Sequence, residues 1–155
     1  VKTSCPADAQ ALVDTTDPRE AAARLRALGA RAVAVTAGAG RLLLDDGRGA
    51  HYHPMPVNPA PIDATGAGDC LTGTVTARLV LGDSLADAVA FGTAAASLSV
   101  SGRGGTGWVP AFSETAELAA AHRGRTAGSG AQHRGRAAGR AGPRPAGAPP
   151  PVPDR

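Results

Sequence analysis

The sequence predicts an α/β protein. Two observations carry this. Apolar runs with strand character, 31–36 and 42–44, sit between stretches of helical periodicity. A turn of small residues, Gly66-Ala67-Gly68, then leads into a long helical pattern with Asp69 in its first turn.

The elements follow in chain order. Val1 to Ser4 reads as a strand end running into a loop, and the absence of an initial Met points to a fragment or a processed form. Pro6 suits a first helical position, with Ala9, Leu12 and Val13 as an apolar stripe. Asp17-Pro18 is an N-cap and N1 pair for a helix that turns Ala22, Leu25 and Leu28 inward and ends at Gly29. Strands 31–36 and 42–44 are followed by an Asp45-Asp46-Gly47 hairpin turn and a partner strand from Ala50 to Met55. On that strand His51 and His53 share one face, which reads as solvated because no third metal ligand lies near. Prolines 54, 56, 59 and 61 hold an extended connection into the glycine turn. Helices are predicted from Ala67 to Leu81 and, after Asp83-Ser84, from Leu85 to Val100. A second glycine-rich loop, Ser101 to Gly107, precedes a short last helix beginning at Ser113 and ending near His122.

Charge divides the chain. From residue 123 onward seven arginines face one acid, giving +6, whereas residues 1–122 hold nine basic and twelve acidic side chains, giving −3. We therefore expect one domain over 1–122 and a disordered Arg/Gly/Ala/Pro-rich tail over 123–155. Such a tail is either a solvated extension or a nonspecific nucleic-acid arm. No aromatic residue is interleaved with its arginines for stacking on bases, which favours the first. No apolar run is long enough to span a bilayer, no basic start precedes an apolar stretch, and two cysteines make no disulfide framework. A cytoplasmic setting is expected.

The turn carries the chemistry. A helix N-terminus presents free N–H groups and attracts anions. A carboxylate beside a bound phosphate is a candidate proton acceptor. The plainer alternative is a loop in which Asp69 only caps a helix. The run Asp63-Ala64-Thr65-Gly66-Ala67-Gly68-Asp69 resembles the Asp-Thr-x-Gly-Ala-Gly-Asp signature of the ribokinase-like (PfkB) family of sugar and nucleoside kinases, departing from it at Ala64. Three further pieces are similar in order and spacing. They are the Val35-Thr36 strand with Gly38, the alanine-rich segment Phe91 to Ser97, and Gly104-Gly105 with Val109-Pro110.

The resemblance implies the C-terminal, nucleotide-binding part of an α/β/α sandwich. It implies ATP-dependent transfer of the γ-phosphoryl group to a hydroxyl of a sugar or nucleoside. Gly66, Ala67, Gly68 and Asp69 would form the anion hole, and Asp69 would be the general base. Thr36, Gly38, Thr93 and Ser97 would wall the nucleotide, although each equally suits a packing position. Magnesium would arrive with the nucleotide. Asp63 and Thr65 would help hold a monovalent cation such as K⁺, with Ser101 to Gly105 as its second half. Alternatively, Asp63 pins its own turn by hydrogen bonds. Full-length members of the family imply a homodimer.

Departures from the family are specific. Its N-terminal half, which carries most of the sugar-binding residues, has no counterpart here. Its Asn-x-x-Glu motif would fall at Ser4-Cys5-Pro6-Ala7, with Asp8 one place late. The turn Gly38-Ala39-Gly40 is more compact than usual. A noncatalytic nucleotide-binding remnant is therefore the alternative to a kinase.

Overall fold

The structure, a computed structural model, describes residues 1–38 and 40–123. The tail expected from residue 123 lies outside the described residues apart from Arg123 itself. The order is β1 (Lys2–Ser4), α1 (Ala7–Val13), α2 (Pro18–Ala27), β2 (Val33–Thr36), β3 (Arg41–Asp45), β4 (Ala50–Pro54), α3 (Ala67–Val80) and α4 (Leu85–Ser99). A further helix, α5, covers 112–123. The four strands form one mixed sheet in the order β1-β2-β3-β4. β1 runs parallel to β2, and β2, β3 and β4 are successively antiparallel.

Strand alternation divides the core in two. Val33, Val35 and Leu43 pack with Ala9, Val13, Ala21, Ala22 and Leu25 of α1 and α2. Leu42 and Leu44 point the other way and pack with Leu71 of α3 and Val89 and Ala96 of α4. The result is a helix–sheet–helix sandwich, as the sequence predicts. Small residues let α3 and α4 lie close: a Cβ on Gly92 would stand 2.5 Å from Val75 Cγ2.

Local signals place most helix ends. Asp17 accepts the Glu20 N–H at 2.8 Å, with Pro18 at the first helical position. Ser84 caps α4 by accepting the Asp87 N–H at 3.1 Å. Asp83 instead binds Arg78 at 2.6 Å. Pro6 stands one residue before α1 rather than inside it.

Three side chains differ from expectation. Leu12 is 60% exposed, because α1 is only two turns long and its contact line runs through Ala9 and Val13, about 60–100° round the helix from it. Leu28 is 76% exposed, because it is the C-cap and has left the helical conformation that would carry it inward. His53 does not share a solvated face with His51. His51 is exposed, but His53 is half-buried, and its Nε2 is fully buried with no hydrogen-bond partner. Burial, then the neighbouring His122 and His51, hold its pKa below the ordinary histidine value. The cause is α5, whose His122 Nε2 lies 3.0 Å from the Pro54 carbonyl and so brings that helix over β4.

Candidate nucleotide-binding site

The proline-rich connection after β4 is tied down before it reaches α3. Asn58 Nδ2 donates to the Ser97 carbonyl at 3.0 Å and to Ser101 Oγ at 2.9 Å. The N–H groups of Ile62 and Asp63 both donate to the Val100 carbonyl, at 2.7 and 3.2 Å. These bonds bring the turn 63–69 against the end of α4 and the loop that follows it.

Asp63 fastens the two loops. Its Oδ1 accepts the Thr65 N–H at 2.9 Å and the Thr65 hydroxyl at 2.7 Å, while Oδ2 accepts the Gly104 N–H at 2.9 Å. Together these lower its pKa to about 2, the Gly104 N–H being the largest cause and the Thr65 hydroxyl the next. Because the folded value is depressed, the pin is fully present above the unfolded carboxyl pKa of about 3.9. It is lost as pH falls through about 2. We expect the Gly104 amide proton to titrate by NMR with a midpoint near 2. A midpoint near that of an unperturbed Asp would show that the bond does not form.

Gly66 makes the close approach. Its φ is +79°, and a Cβ there would stand 2.6 Å from Gly105 Cα. The residue serves as the N-cap of α3 with no side-chain cap. The Ala67 N–H is turned back to the Ala64 carbonyl at 3.2 Å, so it is not available to a ligand in this conformation. The N–H groups of Gly68 and Asp69 have no acceptor among the described residues. Asp69 is exposed, and its carboxylate makes no hydrogen bond or ion pair among those residues.

A cavity of about 470 Å³ opens beside this turn. Of the residues singled out in the sequence, Thr36, Gly38, Ala67, Gly68 and Ser97 line it. Met55, Val57, Leu71 and Val100 give it apolar walls. Thr93 is not brought there: it is completely buried, and its hydroxyl donates to the Ala90 carbonyl at 3.0 Å. Gly66, Asp63, Thr65 and Asp69 lie in the turn rather than in the lining. Among the described residues no three His, Cys, Asp or Glu side chains gather into a metal-binding group. No described helix is long and apolar enough to cross a membrane.

One lining residue, Lys2, carries no signal of its own in the sequence, and Ser4 beside it stands at the asparagine position of the family motif. Lys2 and Ser4 rise from β1 into the cavity. Ser4 donates to Asp8 Oδ2 through both its N–H, at 3.1 Å, and its hydroxyl, at 2.7 Å. The Ser4 hydroxyl, then its N–H, hold the Asp8 carboxyl below its ordinary pKa, with the charge of Lys2 adding to the effect. Asp8, one place late for the family motif, thus still reaches the residue that stands in the asparagine position. Strand alternation would have paired Lys2 with Ser4, but their facing is set by pairing with β2 some thirty residues on.

The arrangement is a three-layer α/β protein with a glycine turn that opens a helix beside a cavity. The chain matches the family described as pfkB family carbohydrate kinase over residues 6–111 and belongs to that family. A comparison with curated protein sequences gives no match. Among solved structures it is similar to ribokinase from Thermotoga maritima, at 28% identity and a TM-score of 0.67, covering 76% of this chain and 41% of that one. It is similar to phosphofructokinase-2 from Escherichia coli in complex with potassium, at 28% identity and a TM-score of 0.63, covering 77% of this chain and 40% of that one. It is also similar to Arabidopsis thaliana ribokinase complexed with ribose and ATP, at 26% identity and a TM-score of 0.66, covering 76% and 40%. The chain therefore spans about two-fifths of the length of these kinases.

Proposed function

We propose that this chain is the nucleotide-binding part of an ATP-dependent kinase that phosphorylates a hydroxyl of a sugar or nucleoside in the cytoplasm. The observation that carries this is the start of α3, where two N–H groups and a carboxylate, all without partners among the described residues, stand together in one turn. Those N–H groups, of Gly68 and Asp69, would stabilise charge on the transferred phosphoryl group. Gly66 would keep the turn narrow enough for phosphate oxygens to approach. Asp69 would accept the proton of the attacking hydroxyl as the new P–O bond forms and the bond to the β-phosphate oxygen breaks. Thr36, Gly38 and Ser97 would wall the nucleotide, with Thr93 supporting from within.

Magnesium would be held chiefly by phosphate oxygens and water. The residues suit a monovalent cation as well. Asp63 is ionised at neutral pH, and its Oδ2 accepts a single hydrogen bond, which leaves a lone pair for an ion. Thr65 spends its proton on Asp63 and keeps its oxygen as a ligand.

A second reading is a noncatalytic nucleotide-binding remnant. It is favoured by the share of the solved kinases that the chain covers, 40–41%. Positioning the acceptor supplies much of the rate in phosphoryl transfer. The deciding assay offers ATP with ribose, fructose, adenosine or pseudouridine to the wild type and to Asp69→Asn. Transfer that depends on Asp69 supports the kinase. ATP binding without transfer supports the remnant.

A further inference from the structure

We infer that His53 is a proton-sensitive latch: neutral, it lets α5 close over β4 beside the candidate nucleotide cavity, and protonated, it releases that helix. The seam between the two elements is well defined. On α5, Thr115 and Ala119 are buried and Leu118 and His122 half-buried, one stripe at helical spacing. His53 pairs in register with Leu42 and so stands on the α3 and α4 side of the sheet, where α5 lies over β4. Its Nε2 is fully buried and has no hydrogen-bond partner among the described residues. Such an atom is tolerated as a neutral lone pair far more cheaply than as a charged N–H. The His122 Nε2 lies 3.0 Å from the Pro54 carbonyl, which can only accept, so that nitrogen donates and goes on donating with or without a second proton on the ring. His53 is thus the group whose protonation the seam does not accommodate.

The surroundings offer a proton on His53 nothing to bind. On β4 its ionisable neighbour is His51 and on α5 it is His122, and both oppose a positive charge there. β3 presents apolar Leu42 to it, while Arg41 stacks on Tyr52 on the opposite side of the sheet. The carboxylates of α5 and α4 do not compensate. Glu117 is exposed, Glu114 accepts the Ala111 N–H at 3.2 Å, and Asp87 binds Arg123 at 3.2 Å. Burial, then His122 and His51, hold the His53 pKa below the ordinary value. Docking of α5 is therefore complete above the ordinary histidine pKa of about 6.5 and is lost as pH falls from there through the lowered docked value. Pro54 leads straight into Met55, Pro56, Val57 and Asn58 of the cavity wall, so release of α5 frees that wall. On the nucleotide-binding reading, on which this last consequence rests, ATP affinity falls over the same range.

The experiment uses the full chain as wild type, His53→Phe and His51→Gln. Amide hydrogen exchange, corrected for the intrinsic effect of pH, reads the opening of α5 at about pH 7.5 and about pH 5.5. In the wild type, opening should rise by up to roughly tenfold at the lower pH, one unit below the ordinary histidine value. His51→Gln should keep that rise and His53→Phe should abolish it. The same rise in His53→Phe overturns the latch, and so does a rise that vanishes in His51→Gln. Ring NMR of the wild type decides without any variant. A His53 midpoint below the ordinary value, with the α5 amides moving in step, supports the latch, and a midpoint at or above it overturns it. ATP affinity is taken as the ratio of wild type to His53→Phe, so that the nucleotide's own titration cancels. That ratio should fall with the same midpoint, and a constant ratio overturns the coupling to the cavity. A wild type that binds no ATP at either pH overturns the nucleotide reading, while the exchange result still decides the latch.

Discussion

Phosphoryl transfer should fall by roughly 10²- to 10⁴-fold in Asp69→Asn, the range for losing a positioned general base. The affinity for ATP should be unchanged or slightly higher. Asn keeps the shape of the side chain and the N–H at this position, so the anion hole survives. On the proposed function, what goes is a negative charge beside the γ-phosphate, which would repel ATP in the ground state. Asp69 sits in the first turn of α3, so its loss costs the helix only about 0.3–1 kcal/mol. The variant should therefore fold, and the loss should appear in kcat. A variant that loses ATP binding along with turnover would place Asp69 among the residues that build the turn.

The second large effect is on stability. Gly66→Ala should destabilise the chain by roughly 2–5 kcal/mol. Left-handed backbone costs an ordinary residue about 1–2 kcal/mol. The added methyl also meets Gly105 Cα at 2.6 Å, a backbone atom that moves only with its loop. Overpacking of this kind costs about 1–3 kcal/mol. Against a typical total of about 5–15 kcal/mol this is a large share. Chemical denaturation of both proteins measures it, and a loss below about 1 kcal/mol would mean that the loop yields freely. Gly68→Ala makes a useful contrast. Its Cβ meets the far end of Lys2 rather than backbone, and its φ is not left-handed, so that variant should stay folded.

The sequence was most readable where the cause is local. Asp17-Pro18 and Ser84 announce their helices because a cap bonds to a residue three places on. The alternation in 33–36 places Val33 and Val35 on one side without knowledge of their partners. Long-range pairing hid the rest. Asp63 could be read as a pin for its own turn, but the bond that does most to lower its pKa comes from Gly104, forty-one residues away. Lys2 and Ser4 belong to a three-residue strand whose facing only β2 defines. Thr93 has the right polarity for a wall and the wrong depth, since α4 is buried along most of its length. Leu28 departs from the helical periodicity because the helix ends one residue before it, at Ala27.

The most direct test of the central claim is an amide NMR titration of the wild type with ATP and magnesium. The account predicts that the largest shifts fall on Gly68 and Asp69, with Thr36, Gly38 and Ser97 following. Saturation with those amides unmoved would contradict it, most plainly if the shifts gathered instead on the adjoining groove that Val75, Leu79 and Leu85 line.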